Sequence, residues 1–242
     1  MLSDQTIQTL NKLHEVQEAY QPNADITAQL SDKTIIMVVG ATCQGKNLIM
    51  DTVVKLDERF HMAHTRTSRP PRTGDEPGRY TYFENSDEGL RPVFEAIENH
   101  NMVQYAVNSY SQTIYGSMLS DYPTEYNLAD VISSAVDNFR HLGFKQTIAI
   151  SVVSDPASWL KRFEERFPVG DAQRKGRKDE AIESLTWSLA QENNHFWVHN
   201  VDGQPELAAE QVIAIAEGVG SGQPEARELA QACLEAARGI TA

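Results

Sequence analysis

The sequence predicts a three-layer α/β fold with a mostly parallel sheet, and three observations carry that prediction. The runs Thr34–Val39 and Gln146–Val153 are apolar almost throughout, without the alternation of a half-exposed strand, as strands covered on both faces are. Each is followed by residues whose apolar positions recur at helical spacing. Between the first run and its helix lies Gly40-Ala41-Thr42-Cys43-Gln44-Gly45-Lys46, a G-x-x-x-x-G-K loop. Its backbone N–H groups and the following helix N-terminus suit a bound phosphate.

The elements follow in order. Ile7, Leu10, Leu13 and Val16 behind Ser3 give a helix over residues 3–20, ended by Gln21-Pro22-Asn23-Ala24-Asp25. It precedes the first core strand, so residues 1–31 read as an accessory helix. After the loop a helix runs to about Phe60, with Leu48, Ile49, Val53, Val54 and Leu56 inward. Residues 62–117 mix strand-like Tyr80–Phe83 and Met102–Val107 with a helix near Arg91–His100, which suggests an inserted subdomain. A helix near Val131–His141 leads to the Gln146–Val153 strand, and Ser158–Phe167 is helical. Residues 168–179 are polar and basic and read as a lid loop. Asp179–Asn194 is a helix, Phe196–Val201 the last strand, and Pro205–Glu217 the closing helix. Residues 32–217 thus form the main domain. Gly218-Val219-Gly220-Ser221-Gly222-Gln223-Pro224 has the composition of a flexible linker. Ala226, Leu229, Ala230, Cys233, Leu234 and Ala237 beyond it keep helical spacing. This tail carries no phosphate-binding residues and reads as dispensable for chemistry.

Composition narrows the function. The 242 residues hold 34 acidic and 21 basic side chains, a formal charge of −13. Nucleic acid and an anionic membrane are therefore excluded as partners, since neither offers counter-charge to an acidic surface. Two distant cysteines, Cys43 and Cys233, make neither a disulfide framework nor a C-x-x-C metal pattern. No apolar run reaches the ~18–20 residues of a membrane span, and the expectation is a cytoplasmic protein. The apolar spacing of the terminal helices leaves a homodimer through them as an expectation.

Within the loop, Lys46 reaches the β- and γ-phosphates of a nucleoside triphosphate. The next position, normally a Ser or Thr on Mg²⁺, is Asn47, whose amide oxygen is a weaker metal ligand. Some twenty residues on, Thr67-Ser68-Arg69-Pro70-Pro71-Arg72-Thr73-Gly74-Asp75-Glu76-Pro77-Gly78-Arg79-Tyr80-Thr81-Tyr82-Phe83 places two arginines on a proline-spaced loop. Planar guanidinium forks suit a terminal phosphate. Two phosphate sites suggest phosphoryl transfer between nucleotides.

This second segment resembles the acceptor loop of guanylate kinases, T-T-R-x-P-R-x-G-E-x-x-G-x-x-Y-x-F, and the likeness extends from about Thr34 to about Ala216. The resemblance implies a P-loop NTPase fold with an inserted monophosphate-binding subdomain and a lid, and an enzyme that uses ATP with Mg²⁺ on a GMP- or dGMP-like acceptor. ATP falls to Gly40, Ala41, Thr42, Cys43, Gln44, Gly45, Lys46, Asn47 and Asn200, with Asn47 at the metal. The monophosphate falls to Thr65, Arg69, Arg72, Tyr115, Ser117 and Asp130, with Thr81 at the place of a family tyrosine. Gln104 stands where the family has the glutamate that reads guanine, and Leu128 where it has a first aspartate. Arg162 and Arg166, four apart on one helix face, match lid arginines on the transferring phosphoryl group and join Lys46 as catalytic candidates. A further family arginine is missing, and Arg174, Lys175, Arg177 and Lys178 are the candidates to stand in for it. Asn47, Leu128 and Gln104 keep a second reading open, a catalytically impaired binding module on the same fold.

Overall fold

The computed structural model describes residues 2–71, 75, 78–108, 111–192 and 195–241. In chain order the elements are α1 (Asp4–Val16), α2 (Ala24–Leu30), β1 (Thr34–Val39), α3 (Lys46–Leu56), β2 (Phe60–Met62), β3 (Thr65–Thr67), β4 (Tyr80–Tyr82) and α4 (Asp87–Glu98). There follow β5 (Gln104–Asn108), β6 (Thr113–Ser117), β7 (Tyr126–Asp130), α5 (Val136–Phe139), β8 (Gln146–Val153), α6 (Pro156–Arg166), α7 (Arg174–Ala190), β9 (His195–His199), α8 (Pro205–Ala216) and α9 (Glu225–Gly239). The chain divides into two compact units, residues 1–33, 61–127 and 137–146 in the first and 34–60, 128–136 and 147–242 in the second.

The second unit has the α/β architecture, with β1, most of β8 and all of β9 in a mostly parallel five-stranded sheet whose order is β2-β7-β1-β8-β9. All six residues of β1 are buried, which fits its unalternating apolar sequence. Helix α3 turns Ile49, Met50, Thr52 and Val53 inward, whereas Leu48 and Leu56 are about half exposed, against expectation. Leu48, one residue before Ile49, is turned about 100° from it round the helix, and Leu56 is the last residue of α3, at its end. Pro156 and Pro205 open α6 and α8, where a missing N–H costs nothing.

The first unit carries a four-stranded sheet, β4-β3-β6-β5. Tyr105, Val107 and Ile114 from one face join Leu10 of α1 and Leu90 and Ile97 of α4 in a single apolar cluster. The N-terminal segment is two helices, not one. Asn23, read as part of a terminating loop, caps α2 by accepting from the Ile26 N–H at 3.0 Å. The segment expected to be helical at Val131–His141 is a 3₁₀ turn at Ser133–Ala135 followed by the single turn of α5. Predicted Asn194 lies outside the described residues.

The C-terminal segment departs most from the sequence reading. In α9, Ala226, Ala230, Cys233, Leu234 and Ala237 are buried in one cluster with Trp159, Phe163, Leu185 and Trp197. The glycine-rich stretch before it is pinned at the sheet edge. The Gln223 N–H donates to the Trp197 carbonyl at 2.8 Å, and the Gln223 amide oxygen accepts from the His199 N–H at 2.7 Å. Bonds to β9, the terminal strand of the sheet, occupy groups an edge strand otherwise leaves open.

Helices α7 and α9 also cap one another. Lys178 Nζ donates to the Ile240 carbonyl at 2.6 Å and Arg174 Nε to the Thr241 carbonyl at 2.8 Å. Arg227 Nη2 donates to the Leu189 carbonyl at 2.6 Å near the end of α7. Cations at helix C-termini match the free carbonyls and the dipole there. The apolar face of α9 is thus filled within its own unit, as Leu10 of α1 is within the first, so the spacing that suggested a homodimer has an intramolecular use.

Candidate active site

In the second unit the loop between β1 and α3 is shaped by contacts that draw its carbonyls outward. Lys46 Nζ donates to the Gly40 carbonyl at 2.6 Å, and the Trp159 indole N–H to the Thr42 carbonyl at 2.8 Å. Arg162 Nε donates to the Cys43 carbonyl at 3.0 Å. The Gln44 carbonyl accepts from Asn200 Nδ2 at 2.9 Å and from the Ser154 hydroxyl at 3.2 Å. In a trans peptide the N–H points opposite to its C=O, so outward carbonyls at Thr42 and Gln44 turn the N–H groups of Cys43 and Gly45 the other way. With the start of α3 this is an anion-binding concavity.

The two glycines are fixed by geometry. Gly45 has φ of 83°, and a Cβ there would lie 2.2 Å from Asn200 Nδ2. A Cβ at Gly40 would lie 2.7 Å from the Val152 carbonyl oxygen. Cys43 adopts φ of 67° without being glycine, a conformation other residues hold only when their surroundings impose it.

Several expected ATP contacts serve the loop itself. Gln44 is fully buried, with Oε1 accepting from the Ser154 N–H at 2.6 Å. Ala41 is buried in the apolar cluster with α9. Asn200, 5% exposed, gives its amide N–H to the loop.

Lys46 also lies 3.7 Å from Asp130 Oδ1. Asp130, expected at the monophosphate, lies in the second unit beside the loop lysine. The cause is strand order: Asp130 ends β7, the neighbour of β1. Leu128, two residues earlier, is fully buried, so no carboxylate stands at that position.

Arg162 touches the loop and pairs with Asp202 through Nη1. Its Nη2 is buried with no hydrogen-bond partner among the described residues. Arg166, one turn on, lies 5.5 Å over the Phe167 ring. The cations offered as a substitute arginine are engaged elsewhere. Arg174 is 3% exposed and pairs with Glu164, Lys175 pairs with Asp179, Arg177 with Glu180, and Lys178 caps α9. Helix α7 accordingly starts at Arg174, within the stretch read as loop, because Arg174 is tied to the Phe167 carbonyl and Thr241.

In the first unit, strand register decides which side chains share a face. Thr65 pairs with Tyr80 and Thr67 with Tyr82 in parallel, Thr67 pairs with Tyr115, and Gln104 with Ser117. Side chains alternate along a strand, so Thr65, Tyr80, Tyr82, Tyr115, Ser117 and Gln104 lie on one face. Thr81 pairs with Arg66 and lies on the opposite one. Thr81 is thus on the other face from Thr65, Tyr115 and Ser117, whereas its neighbours Tyr80 and Tyr82 share theirs, since a shift of one residue exchanges the faces. Ser117 is buried, its hydroxyl 2.7 Å from that of Tyr122.

Arg69 is 6% exposed and stacks 4.5 Å from the Tyr80 ring centroid and 5.6 Å from that of Tyr82. It forks onto Asp75 at 2.7 and 2.8 Å, and Tyr82 donates to the same carboxylate at 2.5 Å. The carboxylate raises the guanidinium pKa further, so Arg69 is a fixed cation. Arg72 lies outside the described residues.

Trp159 and Ser154, which bond to the loop, escaped the sequence reading. For Trp159 the signal was its i, i+3 relation to Arg162 on α6, which puts both on one side of the helix.

Residues 31–123 match the family model described as guanylate kinase. A solved guanylate kinase from Anaplasma phagocytophilum is 16% identical, with 88% of this chain and 100% of that chain covered, at a TM-score of 0.47. No curated protein matches the chain. Among the described residues no helix is long and apolar enough to cross a membrane.

Proposed function

We propose, from the guanylate kinase family assignment that the match over residues 31–123 supports, that this protein is an ATP-dependent nucleoside monophosphate kinase. The observation that carries the reading is the loop of the second unit, with its carbonyls held outward and Lys46 beside Asp130. A loop built only to connect a strand to a helix has no need of five side chains on four of its carbonyls.

ATP binds with its phosphates on the N–H groups of the loop and its β- and γ-oxygens on Lys46. Arg162 offers its Nη2 to the same phosphates. The acceptor monophosphate binds on the face that carries Thr65, Tyr115 and Ser117, with Arg69 and Arg72 on its phosphate. The acceptor oxygen is already ionised, so transfer needs positioning and charge neutralisation more than a general base. Arg166 acts on the transferring group.

The residues fit a bound Mg²⁺. Among the described residues no cluster of three or more His, Cys, Asp or Glu could hold a metal, and Mg²⁺ with a nucleotide asks for less, one or two protein oxygens with water and phosphate supplying the rest. Asn47, the second residue of α3, and Asp130, next to Lys46, would hold it. The ion neutralises phosphate charge. A second reading, a binding module without transfer activity, draws support from Leu128, whose burial leaves one acidic position empty.

The test is ADP release from ATP and Mg²⁺ with GMP, dGMP, AMP, CMP and UMP in turn. Turnover with one or two of these is expected, and binding of ATP with no turnover for any would favour the module.

Base preference rests on Gln104. It lies on the acceptor face opposite Ser117 and presents one acceptor atom where a carboxylate presents two. Weak use of GMP is expected, and Gln104→Glu should raise kcat/KM for GMP by about tenfold or more, from one charge-assisted bond of roughly 1.5–3 kcal/mol. AMP serves as the control. Efficient GMP turnover in the wild type with no gain in the variant would remove Gln104 from base reading.

A further inference from the structure

Helix α6 places two donors, Trp159 and Arg162, on two consecutive carbonyls of the phosphate loop, those of Thr42 and Cys43. These are the peptide groups on either side of the Cys43 α-carbon. Cys43 is held at φ of 67°, in the left-handed region that an L side chain avoids unless its surroundings impose it. Without that conformation the loop cannot alternate its peptides, and the N–H of Cys43 turns away from the anion.

Trp159 is fully buried in the cluster that joins α6, α7 and α9, so its ring cannot shift without disturbing that core. Arg162 is a weaker brace, a third exposed and shared with Asp202.

We propose that Trp159 is a positioning residue for the donor phosphates. Its indole N–H fixes the Thr42 peptide and so maintains the strained Cys43 conformation on which the anion site depends. This rests on the kinase reading only for the identity of the anion. The mechanical part concerns the ligand-free loop. Trp159 touches no reacting atom and acts through the backbone. It also ties a core built partly from α9 to the phosphate loop by a hydrogen bond, beside the packing of Ala41 in the same cluster.

Trp159→Phe keeps an aromatic ring in the core and deletes the N–H. Two quantities should change: hydrogen exchange of the amides of residues 42–47 in the ligand-free protein should accelerate, and ATP affinity by calorimetry should fall about three- to tenfold, the loss of one buried hydrogen bond. Weaker packing alone lowers the melting temperature and can mimic the second effect, so a rescue decides. Adding Cys43→Gly removes the cost of the left-handed conformation and should recover at least about half of the lost affinity on a logarithmic scale, without restoring the melting temperature.

Unchanged loop exchange in Trp159→Phe, or no recovery with Cys43→Gly, would overturn the proposal. Absence of ATP binding in the wild type would instead overturn the kinase reading, and the exchange measurement, made without nucleotide, would still decide the role of Trp159.

Discussion

Replacing Lys46 with alanine should abolish measurable ATP binding while leaving the fold intact. Lys46 is the first residue of α3, its ammonium on the Gly40 carbonyl and 3.7 Å from Asp130, and its side chain fills no part of the apolar core. Removing it deletes charge-assisted bonds to phosphate, each worth roughly 1.5–3 kcal/mol. It also leaves the Asp130 carboxylate uncompensated where polyphosphate must bind, so repulsion adds to the lost attraction. Together these predict a loss of at least about a hundredfold in affinity. Titrated with ATP in the absence of Mg²⁺, Lys46→Ala with Asp130→Asn should regain part of it, because the repulsion disappears while the lost bonds stay lost. Calorimetry with ATP on the three proteins separates the two contributions. Equal affinity in wild type and Lys46→Ala would show that the loop is not the donor site.

What the sequence made legible here was local. The G-x-x-x-x-G-K loop, its apolar strand and its helix are set by neighbouring residues, and they lie where the pattern placed them. Features that depend on strand order and register were not legible. Asp130 reaches Lys46 because β7 lies next to β1, which no count of residues reveals. Tyr80 and Tyr82, and not Thr81, share a face with Thr65 because β4 pairs with β3 in one register and not its neighbour. Composition misled at Gly218–Pro224. Glycines and serine there are permissive in isolation, yet Gln223 bonds to a strand more than twenty residues earlier in the chain. The basic stretch from Arg174 to Lys178 read as part of a lid loop with a stand-in for a missing arginine, while two of its members cap a helix more than sixty residues away.

The helix once taken as dispensable carries the second large effect. Deleting residues 218–242 should unfold the second unit and, through it, abolish nucleotide binding. The deletion strips cover from Trp159, Phe163, Leu185 and Trp197, and each large side chain re-exposed costs about 1.5–3 kcal/mol if fully bared. Arg174, 3% exposed, loses its bond to the Thr241 carbonyl, and β9 loses both bonds to Gln223. Even with partial exposure, the sum is on the order of 5 kcal/mol, comparable to the whole stability of a domain. Cys233 sharpens the point. Burial pushes its thiol up to about 11, so at neutral pH it is a small neutral group packed against Ser154, whose carbonyl accepts from its Sγ at 3.4 Å, and Ser154 in turn holds Gln44 of the phosphate loop. Loss of α9 therefore removes support from the loop as well as from the core. Thermal unfolding followed by circular dichroism, with ATP calorimetry on any soluble product, tests this. A truncated chain that melts within a few degrees of the full one and binds ATP as tightly would mean that α9 is an appendage after all. Intermediate behaviour is open to a finer probe: Leu234→Ala removes one buried side chain of α9 and leaves its capping bonds in place. It should cost about 2–5 kcal/mol, a fraction of the deletion, if the helix acts chiefly by covering the core.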